Sequence, residues 1–219
     1  MFEAVIFDWD WTLADTKRFL ISSFQKALRE VGCNVSDRFI ERRIGSGAKN
    51  TLRAALEASG IRATDKLIQK LLERKIEAQM SLTETVRLID GAMELLTSLY
   101  GKVRMALATM SNRPVIDRLL QEKGVGKFFD VVITADEVNR PKPDPEIFLK
   151  CAEKMNVPPA KCVVVEDSIF GVEAARRAGM KCIAIPSGAY SIDELREHKP
   201  DLIVDSLKEK EKILNFILG

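Results

Sequence analysis

Apolar residues fall along the chain in short bursts. Phe2-Glu-Ala-Val-Ile-Phe7 is almost wholly apolar, is rich in β-formers and stops at Asp8, the profile of a strand buried on both faces. Runs of the same kind recur at residues 103–108, 129–134, 162–165, 182–185 and 202–204. Between them, residues 91–100, 114–123, 145–155, 171–178 and 206–218 carry apolar positions at helical spacing. This alternation predicts an α/β fold, a parallel sheet with helices on both faces, whose ligand site lies beyond the carboxyl ends of the strands.

Residues 16–88 break the pattern, because no convincing strand occurs among them. Phe19, Leu20, Phe24, Ala27, Leu28 and Val31 are spaced as one helical face over residues 17–31, and Gly32 suits its C-terminus. Ser36 is placed to cap a second helix running to residue 44, and a third covers residues 50–59 before Gly60. Thr64 is placed to cap a fourth, with Leu67, Leu71 and Leu72 on its face. Four short helices with short links predict a small bundle inserted into the α/β unit. The expected division is therefore 1–15 and 89–219 for the α/β domain and 16–88 for the helical insertion.

Charge narrows the function classes. Among 219 residues, 34 Lys and Arg face 32 Asp and Glu, a formal net charge of +2, which gives no electrostatic case for wholesale binding to nucleic acid or an anionic membrane. No apolar run approaches the ~18 residues of a membrane span, and the first twelve residues lack the basic and apolar regions of a secretory signal. A cytoplasmic protein is expected. Cys33, Cys151, Cys162 and Cys182 show no CxxC spacing, and His198 is the only histidine, so a structural zinc site or a Ser-His or Cys-His nucleophile is hard to build.

Four segments at strand ends could carry chemistry. Asp8-Trp9-Asp10-Trp11-Thr12 sets two carboxylates two residues apart, one available as nucleophile and one as acid/base, though Asp also favours turns. Glu166-Asp167-Ser168 ends another apolar strand; two more carboxylates near Asp8 would repel unless a cation lay between them, and hard oxygen donors suit Mg²⁺. The same residues fit a helix N-cap, and the two roles can coexist. Thr109-Met110-Ser111-Asn112 offers a hydroxyl and free amides at a strand–helix junction, either a phosphate cradle or a cap. Lys142 stands between Pro141 and Pro143, whose rings restrict the backbone on both sides. Each segment follows a different strand, so all can meet at one sheet edge as nucleophile, metal site, anion pocket and charge clamp, a phosphoryl-transfer set without a P-loop.

In this order, DxDxT, Thr109, Lys142 and Glu166-Asp167 with Gly171 and Gly179 resemble the motifs of the haloacid dehalogenase superfamily, and the insertion resembles its C1-type cap on a Rossmann-like core. The resemblance covers nearly the whole chain. It implies that Asp8 attacks phosphorus to form an aspartyl-phosphate and that Asp10 protonates the leaving oxygen and then activates water. It further implies that Asp8, Asp10 (through its carbonyl) and Asp167 hold Mg²⁺ with Glu166 close by. Thr109, Met110, Asn112 and Lys142 would bind the phosphoryl group, Lys142 also restraining Asp8.

Within that family, Asp10 argues against the dehalogenases, which lack an acid/base carboxylate there. The β-phosphoglucomutase type uses a cap His and Arg, whose matching positions here are Leu20 and Ala48. Ile44-Gly45-Ser46-Gly47-Ala48-Lys49-Asn50 resembles the cap loop of phosphoglycolate phosphatases, with Arg42, Arg43 and Lys49 near enough to meet a carboxylate; a plain link between helices fits it too. Trp11 replaces the usual glycine, and we expect it to line the core–cap cleft. The expected function is a Mg²⁺-dependent phosphatase of a small phosphorylated metabolite, 2-phosphoglycolate first, acting as a monomer or homodimer. A sugar-phosphate mutase or a non-catalytic binding protein on the same fold are the alternatives.

Overall fold

A computed structural model describes residues 1–219. Its main sheet has six strands: β1 (Ala4–Phe7), β4 (Arg104–Ala108), β5 (Val131–Ile133), β6 (Cys162–Glu166), β7 (Lys181–Ala184) and β8 (Leu202–Ile203). They run in the order β5-β4-β1-β6-β7-β8, every neighbouring pair parallel. The short bursts become strands because both faces are covered. In β1, Val5 and Phe7 join one apolar cluster with Leu95, Leu99, Ile116 and Ile213, while Ala4 and Ile6 join another with Phe148, Cys151, Val172 and Ala175. Alternate side chains thus go to opposite helix layers, as the period of two requires.

The helices of the two layers are α5 (Ala92–Leu99), α6 (Arg113–Lys123) and α10 (Lys210–Leu218) on one side. On the other are α7 (Glu146–Met155), α8 (Ile169–Arg177) and α9 (Ile192–Glu197). The sequence pattern missed α9. Its six residues are too short for periodicity, but a reciprocal cap between Ser191 and Glu194 holds its start.

The stretch after β1 forms α1 (Lys17–Arg29), α2 (Asp37–Glu41), α3 (Ala48–Ala58) and α4 (Asp65–Met80). These share an apolar cluster of their own, including Phe24, Leu28, Ile40, Leu52, Leu56 and Leu71. Ser36 and Thr64 accept from the backbone N–H groups of Phe39 and Leu67, as expected of N-caps. The first helix stops sooner than the pattern suggested: Glu30 is its C-cap, and Gly32 follows in the left-handed region. Where the chain enters and leaves this bundle, β2 (Ala14–Asp15) pairs antiparallel with β3 (Arg87–Leu88), a two-strand tie too short to leave a period in the sequence.

No helix is long and apolar enough to cross a membrane. All four cysteines are free and buried.

Candidate active site

β1 lies between β4 and β6, with Phe7 in register with Leu107 on one side and Val165 on the other. The residues that follow these strands, Asp8, Thr109 and Asp167, therefore emerge side by side at the carboxyl edge. This is where a parallel sheet changes direction and binds ligands.

Lys142 reaches this edge from the loop after β5. Its Nζ, fully buried, donates to Asp8 Oδ1 at 2.6 Å, to Glu166 Oε1 at 2.7 Å and to the Ala108 carbonyl at 3.1 Å. Burial alone would lower its proton affinity, but the flanking Asp8 and Glu166 carboxylates outweigh that and hold it above the ordinary lysine range. Glu166 spends its second oxygen on the backbone N–H groups of Asp167 and Ser168 and on the Ser168 hydroxyl. Glu166, grouped with the metal ligands in the sequence, thus has one oxygen accepting from Lys142 and the other from the Asp167 and Ser168 donors. Gly171 allows this, since a Cβ there would lie 1.8 Å from the Glu166 carboxyl.

Asp10 lies at the same edge. Its Oδ2 accepts from the Ser111 hydroxyl at 2.7 Å and sits 3.4 Å from that of Thr109, while its Oδ1 is buried without a partner. Ser111 is a site residue not singled out in the sequence, although it lay in the Thr109-Met110-Ser111-Asn112 segment. Thr109 Oγ1 also accepts from the Ser111 backbone N–H. The Asn112 amide is turned away to Asp136, and Met110 borders the space above Asp10.

The donor set has room for a cation on chemical grounds. Asp8, Asp10, Glu166 and Asp167 are all buried, with Lys142 the one cation bonded among them. Burial raises the Asp8 and Asp167 carboxyls well above their usual range. Glu166 adds to both, Asp10 adds to Asp8, and Asp8 adds to Asp167. Such crowding is relieved by a divalent ion. No three acidic, His or Cys side chains converge on one point, so the Asp8 and Asp167 carboxylates would need main-chain oxygen and water to complete a shell.

The helical bundle roofs this edge. A cavity of about 20 Å³, room for about one water, is lined by Asp10, Ser111 and Met110 from below and by Arg43, Gly45, Gly47 and Lys75 from above. Gly45 and Gly47 both have positive φ; a Cβ on Gly45 would lie 3.0 Å from Ser168 Oγ, and one on Gly47 3.2 Å from Pro141. Their freedom lets the loop settle directly on the core. Leu20 and Ala48, the positions matched to a mutase His and Arg, also line the cavity. Lys75 on α4 was not anticipated. It is 1% exposed with no hydrogen-bonded partner, and burial pulls its pKa down to about 8 against the pull of Asp10. A lysine on an amphipathic helix reads as solvated; only docking of the bundle buries it.

Trp11 was expected in the core–cap cleft. It is instead packed beside Gly188 and Asp167, with a backbone φ of 61° and its carbonyl accepting from Ser187 Oγ.

A parallel α/β core with clustered carboxylates, a buried lysine clamp and a helical roof is the arrangement of a phosphoryl-transfer enzyme. Residues 5–185 match the family model of the haloacid dehalogenase-like hydrolases, and the chain belongs to that family. It is 34% identical over 189 residues to the fructose-1-phosphate phosphatase YqaB of Escherichia coli, covering 84% of this chain and 96% of that one. It is also 34% identical over 221 residues to a phosphorylated carbohydrates phosphatase of Thermotoga maritima, covering 94% and 99%. Among solved structures, a hydrolase from Pseudomonas syringae superposes with a TM-score of 0.90 at 27% identity, over 98% of this chain and 99% of that one. A β-phosphoglucomutase from Clostridium difficile gives 0.87 at 26% identity, over the full length of both. The protein is an enzyme of the phosphoric monoester hydrolase class.

Proposed function

We propose that this enzyme is a Mg²⁺-dependent phosphatase that hydrolyses a small phosphorylated metabolite through an aspartyl-phosphate on Asp8, with residues 16–88 acting as its cap. The observation that carries the reading is the contact of Lys142 Nζ with Asp8 Oδ1, which orients a buried carboxylate beside a second one, Asp10, under a roof that leaves space for about one water.

In this reading Asp8 attacks phosphorus. Asp10, held by Ser111 and Thr109, gives its proton to the leaving oxygen and then takes one from the water that cleaves the phosphoenzyme. Lys142 offsets negative charge on the transferring oxygens while keeping Asp8 in place. A Mg²⁺ ion held by Asp8, Asp167 and the Asp10 carbonyl would supply further charge neutralisation on the phosphoryl group.

Lys75 lines the same cavity as Asp10 and has no hydrogen-bonded partner, its ammonium lying 5.2 Å from the centre of the Phe24 ring. A substrate with a negative or oxygen-rich group next to the phosphoester would supply one, which supports 2-phosphoglycolate and phosphorylated carbohydrates as the first candidates. The apolar side chains of Leu20 and Ala48 favour hydrolysis over mutase chemistry, since neither can hold a proton or a second phosphate.

The test is phosphate release from a panel of small phosphomonoesters, including 2-phosphoglycolate, fructose 1-phosphate and hexose 6-phosphates. It is run with Mg²⁺, with chelator, and with Asp8→Asn. Turnover that needs the metal and disappears in Asp8→Asn is expected. Metal-independent release, or release that survives Asp8→Asn, refutes the mechanism.

A further inference from the structure

We propose that Asn112 and Asp136 make the enzyme selective for phosphate esters of polyols and sugars over those of hydroxy acids, Asp136 orienting the Asn112 amide and the Asn112 oxygen accepting a substrate hydroxyl; this rests on the reading of the chain as a phosphatase working beneath a helical cap. Asn112 is the N-cap of α6, where the side-chain oxygen of an asparagine ordinarily accepts from the first helical turn. Here it does not. The Arg113 N–H goes to Asp136 Oδ2 at 2.6 Å, Pro114 has no N–H, and the Val115 N–H goes to the Asn112 backbone carbonyl at 3.1 Å. The side-chain Oδ1 is left buried without a partner, in a residue only 5% exposed. Like the unpartnered Asp10 Oδ1, it is covered in the closed molecule, so substrate would reach both through the same opened state.

Asp136 decides which end of this amide is left over. Its Oδ1 accepts from Asn112 Nδ2 at 3.0 Å, and a carboxylate only accepts, so the amide is fixed with its NH₂ group on Asp136 and its oxygen free. Asp136 is itself held, because its Oδ2 is bonded to the Arg113 N–H and the neighbouring Ala135 N–H donates to the Ser111 carbonyl at 3.1 Å. An unpaired buried acceptor costs stability, and a ligand hydroxyl that reached it would recover that cost as binding.

The surroundings suit a hydroxyl and not an anion. Asn112 and Asp136 line a cleft of about 500 Å³ between bundle and core, and Gly47, Ala48 and Met110 border both this cleft and the cavity above Asp10. Asn50 and Gln69 line it from the bundle, and each also turns its NH₂ group to a protein acceptor, the Ser46 carbonyl and the Glu73 carboxylate. Three amides thus offer carbonyl oxygens. The one carboxylate of the cleft, Asp136, is in the same wall as Asn112, while its one cation, Lys49, is exposed and weakened by solvent. A carboxylate or second phosphate against Asn112 Oδ1 would meet acceptor with acceptor, whereas a hydroxyl donates. Phosphorylated carbohydrates are therefore favoured over 2-phosphoglycolate.

The test compares alditol and aldonate phosphates of one carbon skeleton, glycerol 3-phosphate against 3-phosphoglycerate and glucitol 6-phosphate against 6-phosphogluconate. For each, kcat/KM is measured with Mg²⁺ in wild type, Asp136→Asn, Asn112→Ala and Asp8→Asn. Wild type should favour the alditol of each pair. Asp136→Asn keeps the shape and can still accept from the Arg113 N–H, but its own NH₂ group then meets Asn112, whose amide must reverse and leave NH₂ free. The alditol:aldonate ratio should fall about tenfold or more, a shift toward the aldonate that mere loosening of the loop would not produce. Asn112→Ala removes the acceptor and should lower kcat/KM for the alditols about tenfold with the aldonates nearly unchanged, which keeps the test valid if Asp136→Asn fails to fold. A wild type that favours the aldonates, or a wild-type ratio in Asn112→Ala and in folded Asp136→Asn, overturns the inference and leaves the phosphatase reading standing. Release that survives Asp8→Asn, or no release from any phosphomonoester of the wider panel, overturns that reading, and the inference with it.

Discussion

Lys142 Nζ lies 2.6 Å from Asp8 Oδ1, and both groups are buried. The pair is held at its other end by Glu166, 2.7 Å from the same ammonium. A buried cation between two carboxylates costs much more to break than to keep, because removing one member strands the others without water. Lys142→Met should therefore lower kcat by roughly 10²–10³-fold and also destabilise the fold by about 3–5 kcal/mol. Denaturant unfolding beside steady-state kinetics checks both. A variant as stable as wild type would show that the ammonium is not buried between charges.

Glu166→Gln separates positioning from catalysis. The amide keeps an acceptor for Lys142 and shape beside Gly171, but loses the charge that holds the ammonium against the sheet edge. A fall in kcat of about tenfold with KM nearly unchanged is expected, since the interaction lost acts through Lys142 and not on substrate. A larger rise in KM than fall in kcat would place Glu166 in substrate contact.

Metal removal should show in stability as well as activity. Burial raises the folded-state Asp8 and Asp167 carboxyls above their unfolded values, so in the metal-free protein their ionisation at neutral pH works against folding. For a group raised in this way, the stability it contributes is present at low pH and is lost as pH rises through the folded value. In chelator, the wild type should thus lose stability on going from mildly acidic to neutral pH, and Asp8→Asn should lose less. Mg²⁺ should raise the wild-type Tm at pH 7 and leave that of Asp8→Asn nearly unmoved. Equal Mg²⁺ shifts in the two proteins would count against Asp8 as a ligand.

How much of this the chain announced depends on how local each signal is. β1 was legible because four successive apolar residues end on Asp8, and the positions of Asp8, Thr109 and Asp167 at strand ends followed from the same bursts. Ser36 and Thr64 were legible as caps because the cap bond spans three residues. Lys75 was not, because its burial depends on α4 lying over Asp10, a contact between distant parts of the chain. Trp11 was misplaced for a related reason. The turn that sets its φ is local, but the Ser187–Gly188 loop it meets lies 176 residues on. The hydrogen bonds of Glu166 were not legible either, because they depend on the approach of Lys142 and on the start of α8.

Lys75 gives a pH-dependent test. Its pKa falls from 10.5 to about 8 on folding, so the charged form is the disfavoured one in the folded protein. The unfolded chain holds the extra proton between those values, and stability should rise with pH across that window. Lys75→Met should therefore stabilise the substrate-free protein at pH 7, by up to about 3 kcal/mol, with the gain fading as pH rises from 8 toward 10.5. The same variant should raise KM for 2-phosphoglycolate by about tenfold or more, as expected for loss of a buried charge partner. A gain in stability with no change in KM for any anionic substrate would make Lys75 a buried residue without a ligand.

Arg42 ties the helical bundle to the core. From the end of α2 its guanidinium donates to the Ala189 carbonyl at 3.1 Å, pairs with Glu194 at 2.7 Å and stacks 4.2 Å from the centre of the Tyr190 ring. The Tyr190 hydroxyl donates back to the Arg42 carbonyl at 2.6 Å. The Glu194 arm is solvent-exposed and contributes little, so Glu194→Gln should cost under about 1 kcal/mol of closure. Arg42→Ala removes the ring contact and the carbonyl bond as well, and about 1–2 kcal/mol is expected. A cavity of about 20 Å³ is too small for a phosphomonoester, so turnover is expected to need an opened state. Arg42→Ala should therefore speed hydrogen exchange in α2 and around Ala189–Tyr190 while leaving α5 and α10 unchanged, and it should lower kcat/KM. Exchange that stays at the wild-type rate in both segments would show that closure is held by the loop glycines and apolar contacts alone, with Arg42 a bystander on the rim.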